Sequence, residues 1–213
     1  MGMGTITDLS HQKKNKDRVN VYIDGSFACG LDALTVVKNR IAVGTEIDEE
    51  ELAAIQRESE GGRAFERAVK YASVRSRTKK ELTTFLRDKG YASATITDTV
   101  KKLTEYGFCD DARFCREYVA AYKGKNGINK IRAELNRLGA DPEAAEAALE
   151  EIDGQAEAAF AAAERYIRTH SKFDMRKLKA HLYARGFNGD DVSEAAARVE
   201  EEYDFTDADE NFD

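Results

Sequence analysis

Apolar residues recur along this chain at helical spacing, and the same arrangement occurs three times. Leu82, Leu86 and Gly90 stand four residues apart, as do Ile131, Leu135 and Gly139, and again Leu178, Leu182 and Gly186. Beyond each glycine, apolar positions follow at plus 6, plus 10 and plus 13: Ile96, Val100, Leu103; Ala145, Leu149, Ile152; Val192, Ala196, Val199. Such spacing keeps one face of a helix apolar, so each unit predicts a helix closed by a glycine C-cap and another starting just after it. Aromatic-bearing segments upstream of the glycines, Phe65 to Tyr71, Phe114 to Tyr122 and Phe160 to Tyr166, add a third helix to each unit. The glycines are 49 and 47 residues apart, a period typical of helical arrays whose units bury apolar faces against their neighbours.

Helix punctuation agrees. Thr78 with Glu81, Asp48 with Glu51 and Asp191 with Glu194 fit capping boxes, and Asp141-Pro142 reads as an N-cap with proline at the first helical position. Helices are expected near 63–73, 79–89, 94–106, 111–122, 127–138, 142–151, 155–169, 174–185 and 190–203.

The first sixty residues have a different period. Val19, Val21 and Ile23 alternate with Asn20 and Tyr22, Asp24-Gly25-Ser26 signals a turn, and Phe27 to Leu31 can pair back as a hairpin. Thr5 to Leu9 can add a third strand. Leu34 to Ile41 and Asp48 to Ser59 read as short helices, the second leading through Gly61-Gly62 into the repeats. The expected fold is mainly α: three tandem three-helix repeats forming an elongated curved array, preceded by a small β-hairpin-containing N-terminal module. Its parts are an α+β module at 1–60, repeats at 63–107, 108–153 and 154–203, and an acidic tail at 204–213.

Composition narrows the classes of function. No apolar run approaches the roughly 18 residues of a membrane span. Met1 to Ser10 lacks the apolar stretch of a signal peptide, and three cysteines, Cys29, Cys109 and Cys115, offer no disulfide framework. A reducing cytoplasm is the expected setting, with Cys109 and Cys115 acting as small buried hydrophobes.

Charge is strongly uneven. Residues 1–62 carry 7 Lys/Arg against 11 Asp/Glu, residues 63–139 carry 18 against 9, and residues 140–213 carry 8 against 20. The central excess suits a polyanion, because cations that displace condensed counterions gain affinity from their release. Cations recur where each second helix begins: Arg75, Arg77, Lys79, Lys80; Lys123, Lys125, Lys130, Arg132; and Arg176, Lys177. A helix N-terminus disfavours a cation by ~0.3–1 kcal/mol, whereas free N–H groups beside cations suit phosphate. These ten residues are the candidate interface.

Catalytic signatures are missing. The sequence has no phosphate-loop, dinucleotide or zinc-protease motif; Gly124-Lys125-Asn126-Gly127 reads as an inter-helix loop, and His11, His170 and His181 are scattered. Asp110-Asp111 fits a helix N-cap. Neither an enzyme, a cofactor nor a metal is expected.

One run carries a family resemblance. Ala68, Tyr71, Arg75, Ser76, Glu81, Leu82, Leu86, Lys89, Gly90, Tyr91, Ile96, Leu103 and Gly107-Phe108, then Asp110-Asp111, Phe114 and Tyr118, occur in an order and spacing that resembles the RecX family. The resemblance continues through Lys130, Ile131, Arg132, Glu134, Leu135 and Gly139, and more loosely through Leu182, Arg185, Gly186 and Phe187. It implies a non-enzymatic regulator, expected as a monomer. Such a protein binds RecA–single-stranded DNA filaments, inhibits the recombinase ATPase, strand exchange and coprotease activity, and so tempers DNA repair and the SOS response. The residues alone leave a second reading open, a helical DNA-binding or architectural protein that acts without RecA.

Overall fold

A computed structural model describes residues 3–13, 15–170 and 174–203; the expected acidic tail at 204–213 lies outside them. The N-terminal strands β1 (Met3–Gln12), β2 (Asn15–Ile23) and β3 (Ser26–Asp32) form an antiparallel meander. Asp24 and Gly25 both adopt positive φ at its tight turn, which matches the twist of the flanking strands. After helix α1 (Ala33–Lys38), a fourth strand, β4 (Glu46–Asp48), pairs with β1, giving the order β3-β2-β1-β4. The sequence does not signal this strand, since three residues are too few to show alternation. Val19 and Val21 lie opposite Leu31 and Cys29, and all four are buried with Ile6, Val36 and Ile47 in one small core.

Gly61-Gly62 does not separate two helices. Helix α2 runs unbroken from Glu49 to Ala72, capped by the Asp48 carboxylate, which accepts from the Glu51 N–H at 2.7 Å. Its first half puts Ile55 into the sheet's core, and its second half puts Ala64 and Ala68 into the core of the first repeat. Each helical glycine costs up to ~1 kcal/mol relative to alanine. Burial on both flanks keeps the glycines helical.

Helices α3 (Lys79–Asp88) and α4 (Ser93–Glu105) complete the first repeat. The second comprises α5 (Asp111–Tyr122), α6 (Ile128–Leu138) and α7 (Pro142–Glu150), and the third α8 (Gln155–Thr169), α9 (Met175–Ala184) and α10 (Gly189–Glu202). Each repeat has its own buried cluster: around Leu82, Leu86 and Leu103; around Ile131, Leu135 and Leu149; and around Leu178, Leu182 and Val199. In the third, Ala159, Ala162, Ala163 and Ala195 stand where larger residues would hold the helices apart.

The three repeat glycines close their helices identically. Gly90, Gly139 and Gly186 have φ of 82°, 70° and 87°. Behind them the N–H groups of Tyr91, Ala140 and Phe187 donate to the carbonyls of Leu86, Leu135 and Leu182. This is the left-handed cap that glycine adopts without steric cost. Asp141 caps α7 as expected, but α10 is capped by Asn188, which accepts from the Asp191 N–H at 2.8 Å. The helix therefore begins one turn earlier than the Asp191 box implies, and Asp190 and Asp191 fall in its first turn, where the helix dipole favours acids.

The chain divides into two compact units, Met1–Arg77 with Glu81–Cys109, and Thr78–Lys80 with Asp110–Asp213. The first holds the sheet and most of the first repeat; the second holds the other two repeats and the three residues that open α3.

Candidate polyanion interface

Within the second unit, the segment that opens a second helix docks on the glycine cap of the following repeat. Thr78 Oγ1 donates to the Leu138 carbonyl at 2.7 Å, and Lys80 Nζ donates to the Arg137 carbonyl at 3.2 Å. The stem of Lys80 lies so close over Gly139 that a Cβ there would strike it. Buried Asp111 joins the two sides, one carboxylate oxygen accepting from the Lys79 N–H at 3.2 Å and the other from the Asp141 N–H at 3.0 Å. Asp110 alone caps α5, accepting from the Arg113 N–H at 2.9 Å. Asp111, its neighbour in the expected N-cap, is the bridge instead.

The next junction repeats the plan. The N–H groups of Gly127 and Asn129 donate to the carbonyls of Arg185 and Gly186 at 2.9 and 3.2 Å, and Arg185 Nη1 returns a bond to the Lys125 carbonyl at 2.9 Å. A Cβ on Gly127 would strike the Gly186 backbone. Gln155 Oε1 takes the Ile128 N–H at 3.0 Å.

These contacts correct one expectation. The N–H groups of Lys79, Ile128 and Asn129 are committed to protein acceptors, so the starts of α3 and α6 do not offer them to phosphate. They also explain part of the cation pattern, because each entrance lies against the C-terminal end of another helix, whose carbonyls favour cations. The third entrance has no following repeat among the described residues. There Asp174 caps α9 by accepting from the Arg176 N–H at 2.7 Å.

The ten candidate cations therefore fall into different groups. Arg75 makes a two-pronged contact with Glu81 at 2.5 and 3.3 Å. Arg77 lies 3.3 Å from the same carboxylate and 3.9 Å over the Tyr71 ring, with only 12% of its side chain exposed. Arg132 grips Glu146 at 2.8 and 3.0 Å. That bond holds the guanidinium pKa above its ordinary value and the carboxylate pKa below its own. Lys80 is engaged with a carbonyl, and Lys123 sits 3.9 Å from Asp153. Lys79, Lys125, Lys130, Arg176 and Lys177 are exposed and, among the described residues, make no ion pair. All five belong to the second unit. Glu81 is legible in the sequence as the i,i+4 partner of Arg77, whereas Glu146, 14 residues from Arg132, is not.

Catalytic geometry is not evident around these residues. Cys115 is fully buried, and burial, reinforced by Asp111 and Asp141, pushes its thiol up to about 11, away from reactivity. Among the described residues no helix is long and apolar enough to cross a membrane.

Comparison with known proteins accounts for the repeats and the sheet together. Residues 4–48 match the model of the Regulatory protein RecX N-terminal domain, residues 64–103 that of the RecX first three-helix domain, and residues 110–149 that of the second. A Regulatory protein RecX from Bacillus licheniformis is 32% identical over 95% of this chain and 80% of its own length. One from Clostridium perfringens is 31% identical over 92% of this chain and 97% of its own. A crystal structure of a regulatory protein RecX superposes with a TM-score of 0.68 at 26% identity, covering 89% of this chain and 97% of that one. With three domain models matching in order over more than half of its residues, the chain belongs to the RecX family of regulatory proteins.

Proposed function

We propose that this protein acts without catalysis, by binding RecA filaments on single-stranded DNA and inhibiting the recombinase, and so restrains DNA repair and the SOS response in the cytoplasm. The observation that supports this most is the set of exposed cations in the second unit that make no ion pair among the described residues, Lys79, Lys125, Lys130, Arg176 and Lys177. An exposed lysine with no counter-ion gives up no intramolecular partner when it meets a phosphate or a carboxylate. Arg75, Arg77 and Arg132 would have to leave theirs first. The contact surface is therefore centred on the five uncommitted cations, with the other five candidates contributing less.

Replacing Lys79, Lys125 and Lys130 together by alanine tests this. Circular dichroism and the melting temperature should stay at parental values, since exposed charges change stability by only a few tenths of a kcal/mol. Inhibition of the DNA-dependent ATPase of RecA should fall sharply. The slope of log K against log salt for filament binding should flatten by about 0.7 for each single-strand phosphate that the variant no longer neutralises. A folded variant with full inhibition and an unaltered slope would make these lysines merely solvated. Replacing Arg176 and Lys177 should have a smaller effect, because acidic residues crowd that part of the chain.

A further inference from the structure

Inside the first unit, Arg18 of β2, Arg63 and Arg67 of α2, and Lys89 and Tyr91 just after α3 line a single cleft of about 410 Å³. Only Arg63 and Arg67, four apart on α2, are linked by a sequence spacing; the fold brings Arg18 and the Lys89–Tyr91 stretch to them. The four cations share the cleft with one carboxylate, Glu60, and with polar Ser59 and Gln56. Asp32 lies near by, its Oδ1 3.9 Å from Arg63 Nε and its Oδ2 accepting from Ser59 Oγ at 3.2 Å. It offsets part of the charge but leaves a clear positive excess.

Two polar groups of the lining residues are incompletely bonded. Arg18 Nη2 donates to the Gly30 carbonyl at 2.7 Å, yet its buried Nε has no partner, and neither does the buried hydroxyl of Tyr91. Arg67 places its guanidinium 5.9 Å from the Tyr91 ring centre, and Lys89 Nζ lies 5.6 Å from that of Phe85. Neither cation makes an ion pair among the described residues.

We propose that this cleft binds a phosphate-bearing ligand and is a separate site that shares no residue with the second-helix entrances. Three arginines and a lysine lining one space suit several oxygens carried on a small anion, because planar forks match phosphate geometry and an ammonium adds point charge. The volume is within the range of ligand sites, roughly 300–1,000 Å³. That leaves room for a pyrophosphate or a nucleotide, and the charged walls disfavour an apolar guest. A free nucleoside polyphosphate and the backbone of a nucleic acid both supply this chemistry. The inference rests on the cleft and not on RecA, so either reading can fail without the other.

The test uses the full chain with three probes: inorganic pyrophosphate, ATP without metal, and a fluorescein-labelled oligothymidylate. Pyrophosphate should raise the melting temperature of the parent and bind measurably by calorimetry. Replacing Arg67 and Lys89 together by alanine, both exposed, should leave the melting temperature without ligand unchanged and weaken pyrophosphate about tenfold or more, as removal of two charge-assisted bonds implies. Tyr91→Phe, which removes only the orphaned hydroxyl, should weaken it by a smaller factor, and Lys125→Ala with Lys130→Ala should not. ATP bound as tightly as pyrophosphate, with no displacement by the oligonucleotide, assigns the site to free nucleotides. Displacement of pyrophosphate by the oligonucleotide assigns it to a nucleic-acid backbone. No pyrophosphate binding by the parent, or equal binding by the parent and the folded Arg67/Lys89 variant, overturns the proposal.

Discussion

Arg132 and Lys130 stand two positions apart and carry the same charge, yet only one of them is spoken for. The Arg132 guanidinium is locked onto Glu146, while Lys130 has no ion partner among the described residues. A count of charges along the chain treats the two alike, because Glu146 lies 14 residues from Arg132, beyond any local spacing rule. The same holds for Asp111, whose carboxylate spans from Lys79 to Asp141. At this scale the environment of Cys115 leads to a pH prediction. Its thiol is raised from 9.0 to about 11 in the folded chain. A group with a raised pKa contributes stability that is complete below the unfolded value and is lost as pH climbs through the folded one. Melting temperatures should therefore fall between pH 9 and 11 more steeply for the parent than for Cys115→Ala. Parallel alkaline curves would show that burial of this thiol has no thermodynamic weight.

Among the elements, the repeat is the firmest feature, and it should respond to mutation as a repeat. Leu86, Leu135 and Leu182 occupy the same place in three clusters and are each fully buried. Leu→Ala at any of them should cost ~2–5 kcal/mol, read from denaturant unfolding; losses under about half a kcal/mol would mean that the alignment of the repeats is wrong. Gly186→Ala should also destabilise, by ~1–3 kcal/mol from its left-handed backbone alone, with the clash against Lys130 added. The helices and their glycine caps are legible in the sequence because period 3.6 and a glycine stop are local signals. Other features depend on distant residues and leave no such signal. The continuity of α2 depends on two cores that hold its halves, which outweighs the break that Gly61-Gly62 suggests. The short strand β4 exists because β1 has an edge to offer it. The docking of one helix entrance on the next glycine cap depends on tertiary contact alone, so in the bare sequence the cations there look like a purely functional choice.

For the whole molecule, the formal net charge of −7 says little about partners, since exposed cations concentrate in one stretch and acids in another. Membership of the RecX family rests on sequence and fold together, and the proposed mode of action rests on four uncommitted lysines and one arginine. The cleft at Arg18, Arg63, Arg67 and Lys89 adds a separate, testable anion site in the first unit. None of its four cations is among the interface candidates read from the sequence; Arg63 and Arg67 share a helix face, but only the fold brings Arg18 and Lys89 to them. The proposed action is through a RecA filament and not by covering DNA. The most direct measurement is a titration of the protein into RecA hydrolysing ATP on single-stranded DNA, alongside an unrelated DNA-dependent ATPase on the same strand. Inhibition of RecA is expected at amounts well below those that saturate the DNA, with the second enzyme untouched. Inhibition only at saturation, and of both enzymes equally, would contradict it and make the protein a DNA coater.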